Sequence, residues 1–450
     1  MGADKRLDRQ IGSKFDYGPR RIDSDIPDLS ASWSAKADDY TTDITPGYRV
    51  GETRQAGSFD DLVGLFNDRY EKLSRVLIQE SGKHPSGTIK QIVNNWTDYT
   101  RSPATILGIV MNIRRTKSGG RMVEIEDTSE TTITVFVRAD DPAAGTLLHD
   151  DVVAVTGTFE SKTGEMFWVN EVQYPDILPG HMNKGGSEFD PVSIGFISDL
   201  HYGSKYFKEK EWNKMMKWLN SSAETAKNLK YLVIPGDGVD GIGIYPGHEN
   251  NLIETDVYKQ YSTLAAMLDE LPDHITPILS PGNHDAVRPA EPQPVLEADI
   301  QQDFNSAIHT GNPGRVNLSG LDVLTYHGKG IDDMVPLMNH VTYERPAEAM
   351  KEMLRKRHMA PLWGERNALS PEEEDQMVIM DKPDIFVTGH THAHQVEWYR
   401  GVPLIVSSTF QGLTDFMKML GNKPKIGYLT AYNIQNRQSR VIKFAEDGVK

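Results

Sequence analysis

The chain has 450 residues, of which 38% are hydrophobic and 25% charged, and its formal charge is −16; that length exceeds one ordinary core and points to two or three domains. So acidic a balance excludes a protein that grips nucleic acid over its whole surface, because counterion release needs a basic footprint. Zero cysteines exclude disulfides, thiolate metal sites and a cysteine nucleophile, leaving oxygen and imidazole ligands suited to manganese, magnesium or zinc.

Residues 1–57 are rich in Asp, Ser, Arg and Pro without apolar period, which predicts a flexible or partly ordered N-terminal arm. The arm leaves an upstream domain open as an alternative. Its first residues, Met1-Gly-Ala-Asp-Lys-Arg-Leu-Asp, lack the apolar stretch of a secretory signal, and no long apolar run follows, so a cytoplasmic, intracellular protein with no membrane contact is expected. From Ser58 the pattern changes. Phe59, Leu62, Leu65, Phe66, Tyr70, Leu73, Leu77 and Ile78 recur at helical spacing behind a Ser58 cap, predicting one amphipathic helix and a linker over 58–102.

Residues 103–178 alternate in five short runs, at Thr105–Arg114, Arg121–Glu126, Thr132–Arg138, Val152–Phe159 and Met166–Tyr174, with turns at Lys117-Ser-Gly-Gly and Ser161-Lys-Thr-Gly. Five strands with a short helix at Pro142-Ala-Ala-Gly predict an OB-fold. Its first turn carries Arg114, Arg115, Lys117 and Arg121, and Phe136, Phe167 and Trp168 lie on strands. These residues serve either as a face for single-stranded DNA or, in the alternative, as barrel core beside a solvated turn.

A Gly/Pro-rich connection from Leu178 leads to a second domain over 191–450. Apolar runs at Ile194, Tyr231 and Ile278 alternate with helical patterns at Lys208–Lys227 and Val257–Leu271, which implies a sheet covered by helices. Within the first helical pattern, Trp212, Met215, Met216 and Leu219 read as core. Further strands at Asp322–Tyr326, Asp384–Thr388, Pro403–Ser407 and Tyr428–Ile434 are expected to form a second layer, giving an α/β/β/α sandwich.

Several of these runs end in a Gly turn and a polar cluster: Asp199-x-His201, Gly236-Asp237-x-x-Asp240, Gly282-Asn283-His284-Asp285, Tyr326-His327-Gly328 and Gly389-His390-x-His392. One such residue at a strand end means little; the set and its order resemble the calcineurin-like metallophosphoesterase superfamily. The resemblance implies that Asp199, His201, Asp237 and His392 hold one divalent ion, and that Asp237, Asn283, His327 and His390 hold a second. A bridging carboxylate offsets the repulsion between the ions, which together polarise a phosphate and generate a hydroxide nucleophile. It further implies that His284 acts catalytically on the leaving oxygen, with Asp240 or Asp285 orienting it. His309, His340, His358 and His394 fall outside the motifs and are given no ligand role.

An OB-fold ahead of such a domain is similar to the small subunits of replicative DNA polymerases. Gly236-Asp-Gly-Val-Asp-Gly-Ile-Gly-Ile-Tyr-Pro-Gly247 and Thr409-Phe-Gln-Gly-Leu-Thr-Asp-Phe-Met-Lys-Met-Leu420 narrow the resemblance to the exonuclease subunit of archaeal family D polymerases. This implies a 3′–5′ proofreading exonuclease with two divalent metal ions, manganese first among the candidates. The implied partners are a large catalytic polymerase subunit, single-stranded or primer-template DNA, and a sliding clamp. A free-standing repair nuclease or metallophosphatase, and a non-catalytic polymerase scaffold, are the competing readings.

Overall fold

The computed structural model describes residues 22–23, 35–46, 57–180 and 186–445; the rest of the expected N-terminal arm, and residues 181–185 of the connection, lie outside the described residues. Two pieces of the arm are strands, β1 (Ile22–Asp23) and β2 (Ile44–Pro46). The helix Phe59–Gln79 begins with a capping box in which Ser58 and Asp61 each accept the other's backbone N–H, an arrangement that contributes about 1 kcal/mol. Residues 81–102, expected as linker, contain a second capped helix, Ile89–Asn94, too short to show a helical period in the sequence.

Strands β3 (Ala104–Arg115), β4 (Arg121–Glu126), β5 (Thr132–Val137), β6 (Val152–Phe159) and β7 (Phe167–Gln173) close a barrel in the order β3-β4-β5-β7-β6. Alternate residues such as Val123, Ile125, Val135 and Val137 point inward and pack with Val155, Phe159 and Phe167. Ile89 and Ile92 of the short helix join that core. On the outside, Leu73 and Leu77 of the first helix pack on Leu107, Val152 and Ala154, which places helix and barrel as one unit.

The remaining chain builds two sheets. β8 (Ser193–Phe196), β9 (Leu229–Pro235), β10 (Thr276–Ser280) and β11 (Ile308–His309) run parallel. β12 (Gly314–Leu318), β13 (Leu321–Tyr326), β14 (Ile385–Thr388), β15 (Gln395–Tyr399) and β16 (Val402–Val406) form the second sheet, with β2 on its edge against β12. β17 (Tyr428–Asn433) and β18 (Ser439–Lys443) complete the first sheet, with β1 on its edge. The expected position of the Tyr428 run is therefore corrected: it pairs antiparallel with β8 in the first sheet, not with the second. Its apolar sequence suits either layer, and only the long-range pairing decides.

Ile194, Phe196, Val233 and Ile278 of the first sheet meet Val316, Val323, Ile385, Val387 and Ile405 of the second. The far side of the first sheet is covered by Trp212, Met215, Leu264 and Leu268 from its helices, and that of the second by Met350, Met353 and Leu354. Fully buried parallel strands read as continuous apolar runs for this reason. The single helix expected over Lys208–Lys227 is two, Glu209–Leu219 and Glu224–Lys227, separated by Asn220-Ser-Ser-Ala. The helix Ala347–Lys356, with Met350 and Met353 in the core, was not anticipated from the sequence.

Candidate metal centre

The C-terminal ends of β8, β9, β10, β13 and β14 deliver the expected residues to one place. Asp199, His201, Asp237, His390 and His392 all have φ between 48° and 63°, the left-handed region that non-glycine residues adopt only where the surroundings enforce it. The enforcement is visible. The N–H of Asp199 donates to the Gly236 carbonyl and that of His201 to the Asp237 carbonyl, so the loops after β8 and β9 stay zipped beyond the sheet. Gly236, at φ 105°, lies where a Cβ would stand 2.3 Å from His327 Nδ1, and a Cβ on Gly282 would stand 2.3 Å from Asp237 Oδ1. Only glycine permits these approaches.

Asp199 and Asp237 are buried. Burial opposes their charge, but hydrogen bonds from His201 and His392 hold the Asp199 carboxyl well below the usual range, and His327, His284 and His201 do the same for Asp237. His327 Nδ1 lies 2.9 Å from the Pro235 carbonyl and must donate to it. Its Nε2 then faces Asn283 Oδ1 at 3.0 Å and Asp237 Oδ2 at 3.3 Å, so that in the neutral ring three acceptors converge. His201 repeats the design. Its Nδ1 is held by Asp240 Oδ1 at 2.8 Å, and its Nε2 faces His392 Nε2 at 3.1 Å and Asp237 Oδ2 at 3.5 Å; His392 Nε2 is also 3.3 Å from Asp199 Oδ1.

Acceptors that converge in a buried site require a proton or a cation between them. The same demand for positive charge lifts His327 to about 9 against the burial that opposes it, chiefly through Asp237. Carboxylate, amide oxygen and imidazole nitrogen suit a divalent cation, and their outer atoms are already fixed by Pro235 and Asp240, as ligand orientation requires. Asp199 with His201 and His392, and Asp199 with Asp237 and His327, each bring ligand atoms close enough to share an ion.

His390 departs from the simple expectation. Its Nε2 is 2.9 Å from Asp332 Oδ2 and its N–H reaches the Asp199 carboxylate, which leaves Nδ1 as the nitrogen available to a cation. His284 sends Nδ1–H to the Asp240 carbonyl at 2.8 Å, with the Asp240 carboxylate 3.5 Å away. Burial pushes its imidazole down to about 4. Asp240, rather than Asp285, therefore orients His284; Asp285 binds Gly282 N and the Tyr261 hydroxyl and shapes the loop.

Three polar residues of the site escaped the sequence reading. His248 Nε2 reaches Asp240 Oδ2 at 3.3 Å, Gln411 Nε2 donates to Asp240 Oδ1 at 3.1 Å, and Asp332 holds His390. His248 follows directly on the Gly236–Gly247 stretch and Gln411 lies within the Thr409–Leu420 stretch, so both were next to a signal; Asp332 had none. His340, His358 and His394 have other partners, Glu352, Asp375 and Thr430.

On the barrel, Phe167 is core, whereas Trp168 is 43% exposed and packs edge-on against Phe136 at 5.0 Å. Gly120, at the end of the basic turn, lies against the Phe136 ring. Arg114 is exposed and paired with Glu124 at 2.8 Å; Arg115 is the exposed last residue of β3, Lys117 is exposed in the turn, and Arg121, half-buried, opens β4.

A family sequence model for the B-subunits of DNA polymerases alpha and epsilon matches residues 194–397, so this part of the chain is similar to the B-subunits of DNA polymerases. The small subunit of DNA polymerase II from Archaeoglobus fulgidus is 38% identical over 421 residues, covering 92% of this chain and 82% of that protein. Its counterpart from Methanocaldococcus jannaschii is 38% identical over 405 residues (87% and 67%), and that from Pyrococcus horikoshii 37% over 474 (96% and 74%). The chain belongs to the family of archaeal DNA polymerase II small subunits, the small subunits of the family D replicative polymerases. Membership implies a large catalytic subunit as its partner.

Proposed function

We propose that this chain is the 3′–5′ exonuclease of its polymerase, hydrolysing DNA phosphodiesters with two divalent cations, manganese before magnesium or zinc. The observation that carries this is the convergence of imidazole nitrogens with carboxylate and amide oxygens around His201 and His327. In this reading the closed barrel is an OB-fold, and the two helix-covered sheets are a calcineurin-like metallophosphoesterase domain.

Asp199, His201, Asp237 and His392 would hold one cation, and Asp237, Asn283, His327 and His390 through Nδ1 the other. Bound there, the pair would supply Lewis acidity for polarising the phosphate and activating the attacking water. The protein's own groups do the rest. Asp237 lies between the two sets and offsets the repulsion that would otherwise separate them. His284 has Nε2 left for the substrate because Nδ1 is committed to Asp240. With a pKa of about 4 it is neutral near pH 7, so its Nε2 takes a proton from solvent water and passes it to the leaving 3′ oxygen, returning to the neutral ring; the Asp240 carbonyl and carboxylate stabilise the imidazolium in between. Single-stranded or primer-template DNA approaching along Arg114, Arg115, Lys117 and Arg121, and a sliding clamp as a further partner, complete the proposal. The exposed Trp168, packed on the half-buried Phe136 beside that turn, supports the DNA path.

Single-stranded DNA labelled at its 3′ or 5′ end, incubated with the chain and manganese and with EDTA as control, tests the reading. Mononucleotides released from the 3′ end are expected, with activity abolished by EDTA. Release from the 5′ end, or hydrolysis of small phosphate esters only, overturns it.

A further inference from the structure

The loop after Asp240 carries a surface that the proposed chemistry leaves unused. Ile242, Ile244 and Tyr245 are 48%, 38% and 40% exposed, although they directly follow a buried residue of the centre. The loop is nevertheless firmly held. Gln260 grips both the N–H and the carbonyl of Gly241, at 2.9 and 3.1 Å. Gly241 turns at φ 68° against the main chain of His284, where a Cβ would lie 2.1 Å from the His284 carbonyl oxygen. Ile244 N–H donates to His248 Nδ1 at 3.4 Å, which leaves the proton of His248 on Nε2, facing the Asp240 carboxylate.

Tyr245 is fixed into this frame on one side only. Its ring lies on the His248 ring with centroids 4.4 Å apart, and its hydroxyl accepts from Asn251 Nδ2 at 3.0 Å. His248 in turn contacts the His284 ring at 5.9 Å. An exposed aromatic therefore stands two ring contacts from the residue assigned to the leaving oxygen. Lys205, with Nζ 2.6 Å from the Asn250 carbonyl, puts a cation on the same loop.

We propose that Tyr245, flanked by Ile242 and Ile244, is the stacking platform for an unpaired base of the strand whose phosphodiester lies at His284, and that it makes the site select single-stranded or frayed ends. The inference rests on the exonuclease reading and names its specificity element. A flat ring already ordered by His248 and Asn251 loses little further freedom on binding, and it accepts any base because every base has a π face. A base inside a duplex is already stacked on both sides, so the platform favours only an end that has come unpaired. Lys205 supplies charge for the adjoining phosphate. The link through His248 to Asp240 is what distinguishes a substrate platform from a protein-docking patch, which needs no connection to the centre.

The test uses the full chain and a single-stranded oligonucleotide ending in 3′ 2-aminopurine, whose fluorescence falls when the base stacks. With calcium in place of manganese, binding to the wild type should quench the signal, Tyr245→Ala and Tyr245→Leu should not, and Tyr245→Phe and Tyr245→Trp should restore the quench. Tyr245→Leu keeps an apolar contact on His248 and guards against a folding defect. In manganese, KM for single-stranded ends should rise about 5- to 150-fold in Tyr245→Ala, with a smaller change in kcat and reduced preference for frayed over paired ends. Equal quenching and equal KM in wild type and Tyr245→Ala overturn the inference while leaving the exonuclease standing. A wild type that quenches but releases no 3′ nucleotide removes the exonuclease reading and the inference together. Wild-type quenching in Tyr245→Ala combined with lost co-elution with the large subunit makes the loop a protein interface and overturns the proposal.

Discussion

Where the first helix meets the second sheet domain, Arg69, His358 and Asp375 are as deeply buried as Asp199, His201 and Asp237 at the strand ends, yet the two clusters are connected in opposite senses. At the junction, donors face acceptors. Arg69 Nε donates to Asp375 Oδ2 at 2.6 Å and its Nη1 to the Pro361 carbonyl at 2.7 Å, while His358 Nε2 reaches the same carboxylate at 2.9 Å. His358 Nδ1 accepts from Ala360 N–H, and Asp375 Oδ1 from Met377 N–H. Lys356 with Asp151 and Arg357 with Glu80 repeat the pattern between the same parts of the chain. At the strand ends, acceptors face acceptors around His201 Nε2 and His327 Nε2. A buried cluster whose opposite charges meet one another fastens parts together, whereas convergent ligand atoms are what the proposed metal site calls for.

The comparison breaks most severely at Asp237. Asp237→Ala should lose bound metal, read by elemental analysis, and cut single-turnover cleavage by more than about 10⁴-fold, because both ligand sets share this carboxylate. Retention of two ions per chain would deny it the bridging position. His284→Ala sharpens the contrast within the site: cleavage should fall about 10²–10⁴-fold with near-normal metal content, and an emptied site would show that His284 is a ligand. At the junction the expected loss is stability alone. Asp375→Ala strands a buried Arg69 and should cost about 3–5 kcal/mol by denaturant unfolding, with metal content unchanged.

A smaller effect is expected at Asp332, which holds the proposed ligand His390 rather than an ion. Asp332→Asn should weaken metal binding about 10–100-fold, measured by titration with manganese; an unchanged affinity would mean that His390 does not bind the metal. The smallest effect is a pH dependence of the junction. Burial, with the Arg69 charge, holds His358 below its ordinary pKa, and although burial opposes its charge, His358 and Arg69 hold Asp375 below the carboxylate range. Both signs agree. As pH falls below about 6.5 the unfolded chain takes up a proton at His358 that the folded one refuses, and below about 4 the same holds at Asp375, so stability declines on acidification. His358→Gln should flatten the fall in Tm between pH 7 and pH 5; a slope equal to that of the wild type would assign the decline elsewhere.

Local pattern determined much of this protein on its own. The Ser58 cap, the helix behind it, the five strands of the barrel and the apolar runs ending in Asp199, Asp237, Asn283, His327 and His390 are all written in stretches of ten residues or so, because burial and backbone geometry act on near neighbours. Tertiary structure decided what local pattern cannot encode. The Tyr428 strand is apolar enough for either sheet, and its place follows only from hydrogen bonding to β8. Asp332 is one acidic residue among many until the fold carries it to His390, 58 positions away, and Arg69 meets Asp375 across 306. Periodicity reports which face of an element is buried, but not which distant side chain lies opposite. For the same reason Tyr245 reads as one more residue in a glycine-rich loop until the fold sets it on His248 and, through Asp240, beside the centre.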